Sequence, residues 1–282
     1  MNIILIGEPK IGKSTLLSKS INQINSPLIK FQGVISKEIR DENQIRQGFR
    51  AITSSGVNEI FAHKKDIESK LTVGEYKIDN QAIKETFIYQ IDQFLDSKDD
   101  FFYLDEIGRI QMASIEFRTS YPKLLIDPRP LVATVSNDEP WTKDLTGRLN
   151  SFVIEVNLFN RDSLADTLTS IMKGLIFIPK LNEDQIYYLI QKARYYLNIN
   201  NHTLVQYLFE RTTKYLVEKR FKYLSEDEII VEGDRERHRI LVIKEGQYVC
   251  DCNLFNGRNE FDGQYGDCPH IQTLRLDKLT TK

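Results

Sequence analysis

Gly7-Glu8-Pro9-Lys10-Ile11-Gly12-Lys13-Ser14-Thr15, preceded by the apolar run Ile3-Ile4-Leu5-Ile6 and followed by Leu16 and Leu17, decides how the chain is read. The string has the form G-x-x-x-x-G-K-[ST] between a strand-like and a helix-like segment, the context in which that spacing has a mechanism. Glycines let such a loop curl until successive backbone N–H groups point at one anion, and the helix that follows adds the positive end of its dipole. Lys13 has the reach for terminal phosphates, and the Ser14 hydroxyl is an oxygen donor suited to Mg²⁺. Residues Gly7 to Thr15 are therefore expected to hold the polyphosphate of a nucleotide.

A second site is expected at Phe101-Phe102-Tyr103-Leu104-Asp105-Glu106, an apolar run ending in two acids. Two carboxylates leaving a buried strand repel one another and lose hydration unless a cation is near. Beside a phosphate loop, Asp105 is expected to share the magnesium ion with Ser14, and Glu106 to polarise the attacking water as general base. Thr134 and Ser136 close the next apolar run, where a hydroxyl can sense a terminal phosphate. Arg109, Arg148 and Arg161 are the arginines considered for stabilising charge on it. A guanine-reading N-K-x-D string is absent: His63-Lys64-Lys65-Asp66 has the wrong first residue and precedes the acidic motif.

Working outward, residues 1–176 alternate strand-like runs (Asn2–Ile6, Phe101–Leu104, Leu131–Val135, Phe152–Val156) with helical patterns, the signature of an α/β fold with a mostly parallel sheet. Gln81–Ser97 reads as a helix with Ile83, Phe87, Ile91 and Phe94 on one stripe and Asn80 as N-cap. Gly33–Ile39, Gly48–Ile52 and Leu71–Ile78 read as hairpins inserted into that frame. From 177 to 225 the pattern becomes a helical connector. It comprises residues 183–197, with Asn182 and Gln185 as a capping box, and 203–222. Residues 226–282 turn to strands, Arg239–Ile243 and Gln247–Cys252 around Glu245-Gly246, and are expected to form a small zinc-stabilised ββα module.

Composition narrows the class. Lys and Arg (38) nearly cancel Asp and Glu (40), so net charge gives no signal for nucleic acid or membrane. No run approaches the ~18 apolar residues of a membrane span, and none resembles a secretory h-region. A soluble, cytoplasmic protein is expected.

All three cysteines lie in the last 33 residues, as Cys250-Asp-Cys252 and, fifteen residues on, Cys268-Pro-His270. Residues two apart on an extended segment share a face, so Cys250 and Cys252 can approach one ion while Cys268 and His270 close a tetrahedron. Three thiolates and one imidazole suit structural zinc with no open position, which supplies folding energy to a segment too small for its own core. Lys214, Lys219, Arg220 and Lys222, and Arg235, Arg237 and Arg239 along one strand face, are balanced by nearby acids and read as a solvated charged surface. The connector tyrosines (Tyr187, Tyr188, Tyr195, Tyr196, Tyr207) read as packing residues.

Two resemblances add to this. Residues 1–176 resemble the THEP1 family of nucleoside-triphosphatases. The matching segments are Gly7–Thr15, Gly33–Arg40, Arg46-Gln47-Gly48-Phe49, Val73-Gly74-Glu75-Tyr76, Asp105-Glu106-Ile107-Gly108-Arg109 and Asn160-Arg161-Asp162. The resemblance implies a P-loop sheet with inserted hairpins, use of Mg²⁺, and hydrolysis of ATP, GTP and other nucleoside triphosphates to the diphosphate. The chain departs from the family at Lys10 (usually glycine), Arg109 (usually lysine) and Gln111 (usually glutamate). The last of these bears on rate more than on fold. Residues from about 236 to 276, with Tyr248–Cys252 and Cys268–Ile271, resemble a SWIM-type zinc finger. That implies a DNA or protein partner, and RNA is a further possibility for the module. The combined expectation is a nucleoside-triphosphatase with Lys13, Asp105 and Glu106 at its centre. The rivals are a nucleotide-switched binding protein with negligible hydrolysis and a nucleoside or nucleotide kinase.

Overall fold

Both faces of the opening strand are covered, which is why Ile3, Ile4 and Leu5 follow one another without a polar residue. The computed structural model describes residues 1–244, 247–252 and 268–280. The chain divides into two units, Met1–Asp166 and Thr167–Lys282.

In the first unit the opening run is β1 (Asn2–Gly7). It is followed by helix α1 (Lys13–Asn22) and then by β2 (Phe31–Arg40), β3 (Arg46–Thr53), β4 (Asn58–His63), β5 (Thr72–Val73), β6 (Tyr76–Ile78), β7 (Phe101–Asp105), β8 (Leu131–Ser136) and β9 (Ser151–Glu155). These nine strands form one sheet in the order β5-β6-β4-β3-β2-β7-β8-β1-β9. From β2 to β9 every neighbouring pair is parallel, and from β2 outward to β5 every pair is antiparallel. The α/β expectation of a mostly parallel sheet bearing hairpins therefore describes one half of the sheet and its extension.

β2 differs from the expectation. The run from Gly33 is more than a hairpin arm: Phe31–Ile35 pairs in parallel with Phe101–Asp105, and Val34–Arg40 pairs with β3. The strand is long enough to serve as the last parallel member and then continue past the end of β7, so residues 36–40 and the start of β3 project beyond that edge. Phe61 of β4 meets Phe87 edge-on at 5.2 Å, and Phe87 meets Phe117 at 5.8 Å, which ties the hairpins to the helices of the frame.

The helix carrying Phe87 runs through consecutive segments Asn80–Ile83, Lys84–Ile88 and Tyr89–Asp96. Its N-cap is Asp79, not Asn80: the Asp79 carboxylate accepts from the amides of Gln81 (2.8 Å) and Ala82 (3.1 Å). Asn80 instead donates to Glu116. Asp79 and Asn80 are both strong capping types, and the one whose backbone is extended takes the position.

In the second unit the capping box expected at helix Glu183–Asn198 is present, with Gln185 N donating to Asn182 Oδ1 (2.9 Å) and Asn182 N to Gln185 Oε1 (3.1 Å). The helix expected over 203–222 ends earlier, in segments His202–Tyr207, Leu208–Thr212 and Thr213–Val217. Lys219 adopts φ 52, a left-handed conformation that stops the helix. The residues after it become β10 (Phe221–Tyr223), which pairs with β11 (Glu228–Glu232), β12 (Arg237–Lys244) and β13 (Gln247–Cys250) in a four-stranded antiparallel sheet. Among the described residues the module thus has four strands where two were expected, and Arg235 lies in the turn before β12 rather than on it.

Ile229, Val231, Ile240, Tyr248 and Cys250 form the sheet's buried face and meet Ile271 and Leu274 of helix Pro269–Asp277. That helix is joined to Glu183–Asn198 by Gln185 Nε2 to Leu276 O (3.0 Å), Tyr188 OH to Gln272 Oε1 (2.6 Å) and Gln272 Nε2 to Tyr196 OH (2.9 Å). Tyr188 and Tyr196 are therefore packing residues, as expected, while Tyr187 and Tyr195 are exposed. Glu245-Gly246 and the fifteen residues between Cys252 and Cys268 lie outside the described residues. Among the described residues no helix is long and apolar enough to cross a membrane.

Candidate active site and candidate metal centre

The loop between β1 and α1 is shaped by its glycines. Gly12 sits at φ 111 as the N-cap of α1, where an L side chain is strained, and no side chain caps that helix. A Cβ on Gly7 would come 2.5 Å from the carbonyl oxygen of Val156. The first N–H groups of α1 therefore face the cleft without an intrahelical partner, which is what an anion site needs. Lys13 is buried, and its ammonium donates to Gly7 O (2.8 Å) and Glu8 O (2.9 Å). Burial lowers its pKa, and the charges of Glu106 and Asp105 oppose that fall.

Asp105 ends β7 and is 1% exposed. Its Oδ1 accepts from Ser14 Oγ (2.7 Å) and Thr134 Oγ1 (2.6 Å), and its Oδ2 from Ser36 N (3.3 Å). Burial raises its pKa, while these hydrogen bonds and the charge of Lys13 favour the carboxylate. Glu106, partly buried beside it, is pushed up to about 7 by burial first and by repulsion from Asp105 second, with Lys13 opposing. Gln111 is buried and donates to Ser36 Oγ (3.2 Å), and Ser36 Oγ donates to Asp105 O (2.5 Å). The serine on β2, which lies in the Gly33–Arg40 segment but has no role expected there, thus braces the acid from the other side.

These groups line a cleft of about 1040 Å³ that includes Lys10, Lys13, Ser14, Thr15, Ser36, Asp105, Glu106 and Ser136. Thr134, expected near a terminal phosphate, has its hydroxyl on Asp105. The three arginines considered from the sequence separate. Arg109 has a 65% exposed side chain and donates to Glu139 (2.9 Å), and Arg148 is exposed. Arg161 lies beside the phosphate loop, with Nη1 3.5 Å from Ile11 O. Arg40 and Arg46, which enter the cleft from the β2–β3 overhang, were missed as site residues. Their position depends on β2 pairing on both edges, which no local string reveals.

A separate cluster gathers Cys250, Cys252, Cys268 and His270. All four are buried, and their ligand atoms lie within 4.8 Å of one another. His270 Nδ1 is 3.7 Å from Cys250 Sγ and 3.8 Å from Cys268 Sγ. Metal–ligand lengths of roughly 2.0 to 2.3 Å in a tetrahedron separate ligands by about 3.5 Å, so spacing and donor chemistry both fit zinc. Cys268 is the N-cap of helix Pro269–Asp277 and Pro269 fills its first turn, which fixes His270 toward the strand cysteines. Hydrogen bonding among the thiols holds the Cys252 pKa well below the thiol range and pushes Cys250 up to about 12. The His270 ring lies between Tyr215 (5.7 Å) and His238 (4.1 Å). Nearby basic residues are paired: Lys214 and Arg220 with Asp234, Arg237 with Glu232, and Arg239 with Glu228.

The family model described as NTPase matches residues 2–169. The nucleoside-triphosphatase THEP1 of Aquifex aeolicus (strain VF5) is 32% identical over 181 residues, covering 61% of this chain and 99% of the relative. The crystal structure of THEP1 from the hyperthermophile Aquifex aeolicus superposes with a TM-score of 0.54 at 30% identity, covering 61% of this chain and 99% of that one. The solution structure of a human cancer-related nucleoside triphosphatase matches with a TM-score of 0.51 at 20% identity, over 60% of this chain and 95% of that one, a likeness of fold.

Proposed function

The chain belongs to the NTPase family and is a nucleoside-triphosphate hydrolase, and on that premise we propose that it is Mg²⁺-dependent and converts ATP, GTP and related nucleotides to the diphosphate and phosphate. The observation that carries this reading is the 2.7 Å hydrogen bond from Ser14 to Asp105. It brings a hydroxyl of the phosphate loop and a buried carboxylate to one point, and oxygen donors of this kind suit magnesium.

In this reading Gly7, Glu8, Pro9, Lys10, Ile11, Gly12, Lys13, Ser14 and Thr15 wrap the polyphosphate, with Lys13 leaving the loop carbonyls for the terminal phosphates. Ser14 and Asp105 would hold Mg²⁺, which supplies neutralisation of phosphate charge. Glu106 orients the attacking water and accepts its proton, a task suited to a carboxyl whose pKa burial has raised toward neutrality. The test is phosphate release from a panel of nucleotides with Mg²⁺, with and without DNA or RNA. Glu106→Gln should retain nucleotide and lose turnover. Equal turnover in that variant would remove Glu106 as base, and release that depends on an added nucleoside would favour a kinase.

Nucleotide chemistry is assigned to residues 1–176, with 177–225 as connector. Residues 226–282 are assigned to a SWIM-type module whose Cys250, Cys252, Cys268 and His270 hold zinc and which recruits DNA, RNA or a protein inside the cell. The buried, convergent donor set supports the zinc assignment.

A further inference from the structure

The cleft above the phosphate loop is lined by six cations, Lys10, Lys13, Lys19, Lys37, Arg40 and Arg46, against three acids, Glu38, Asp105 and Glu106. Most of these cations are long surface side chains. Arg46 is different because its guanidinium is fixed on three sides. Nε donates to the Tyr76 hydroxyl (2.9 Å) and Nη1 to Glu38 Oε1 (2.9 Å), and the group lies 5.0 Å from the centre of the Phe49 ring and 5.7 Å from that of Tyr76. Glu38 also pairs with Arg40. Among the described residues Nη2 of Arg46 makes no hydrogen bond, and the side chain remains 33% exposed.

An exposed ion pair is ordinarily worth little and samples many rotamers. Here two hydrogen bonds and two aromatic faces hold one plane, so the ordering entropy has already been lost before any ligand arrives. The residue reaches this position because β2 runs on past Asp105 and its partner β3 begins with Arg46 over the cleft. Its positive charge is felt at Glu106.

Resting on the hydrolytic reading of this site, we infer that Arg46 is a catalytic residue: its Nη2 donates to the terminal phosphate across the cleft from Lys13 and stabilises the charge on the transferring group. Water bonds to the terminal phosphorus and gives a proton to Glu106. The bond from that phosphorus to the bridging oxygen breaks, and the electron pair leaves with the nucleoside diphosphate. A planar, preorganised cation gains most when charge spreads over the equatorial oxygens, so its contribution falls on turnover more than on ground-state binding. Glu38 and Tyr76 are positioning residues for it.

The experiment compares wild type with Arg46→Ala, Arg46→Gln and Tyr76→Phe in the full chain. Each is measured for phosphate release, ADP affinity, and trapping of ADP with aluminium fluoride, a mimic of the planar phosphoryl group. Arg46→Ala should bind ADP within about threefold of wild type, lose about a hundredfold or more in kcat, and fail to trap the fluoride complex. Millimolar guanidinium should restore part of its turnover. Tyr76→Phe should fall between it and wild type. Should Arg46→Ala fail to fold, Arg46→Gln, which keeps much of the side chain's reach without its charge, decides by the same readouts. Wild-type turnover and trapping in the folded Arg46 variant would overturn the inference. A wild-type chain that releases no phosphate from any nucleotide would instead remove the hydrolytic reading, and the inference with it.

Discussion

Gly108 stands against the carboxylate of Glu106 at a place where any Cβ would collide with it. The glycine's extended backbone is open to any residue; what excludes a side chain is the acid itself. Gly108→Ala should therefore displace Glu106 while leaving the phosphate loop intact. A displacement near an ångström at a reacting group costs on the order of a hundredfold in rate. We expect kcat to fall at least tenfold with nucleotide affinity within about threefold, read by phosphate release and calorimetry. Unchanged kcat would mean that Glu106 needs no exact placement.

Lys13 donates to the carbonyls of Gly7 and Glu8, and in the proposed site those bonds would be exchanged for phosphate. Charged hydrogen bonds contribute about 1.5 to 3 kcal/mol each, so Lys13→Ala should weaken ATP by at least roughly tenfold. Calorimetry returning the wild-type dissociation constant would remove Lys13 from the nucleotide site.

How much of this was legible follows from where each residue's role is encoded. The phosphate loop and Asp105-Glu106 are local strings at strand ends, so sequence places them. The cluster of Cys250, Cys252, Cys268 and His270 is legible for the same reason: pairs two apart at a strand end and at a helix start. The positions of Ser36 and Arg46 depend on which strand lies beside which. Asp105 is braced by Ser36 only because Ile35 is in register with Asp105, and that pairing spans about seventy residues of chain. Residues 218–222 read as a continuation of the helix because no glycine or proline interrupts them, and Lys219 ends the helix through its backbone. The cap falls at Asp79, one residue before the expected Asn80, because the two neighbours are equally good capping types.

Glu106 carries a pH signature in the nucleotide-free, magnesium-free protein. Its pKa rises from 4.5 to about 7 on folding. Below 4.5 the proton is bound in both states and there is no penalty. Between the two values the unfolded chain releases the proton while the folded one keeps it, so stability falls as pH rises and levels off above about 7. The shift corresponds to a loss on the order of 3 kcal/mol. Asp105 shifts in the same direction, so Glu106→Gln should make the slope shallower without abolishing it. Urea unfolding with neither Mg²⁺ nor nucleotide added, at pH 5 and pH 8, checks this, and equal slopes in both proteins would exclude a buried, raised Glu106.

Removing metal from the carboxy-terminal cluster should be felt beyond the cluster. His270 sits in the first turn of helix Pro269–Asp277, and the same helix bonds Gln185 and Tyr188 through Leu276 and Gln272. Structural zinc contributes apparent free energies of about 10 to 16 kcal/mol in finger peptides, comparable with the whole stability of a domain. Elemental analysis should find one zinc per wild-type chain and less than one in Cys268→Ser. Chelation should raise amide exchange in Glu183–Asn198 as well as in β12 and β13, because the helix that orients His270 is also the partner of Tyr188. If exchange rises in the strands alone, the two helices are not coupled through the metal. If chelation changes neither, the four ligands hold together by packing, and zinc has no part in the fold.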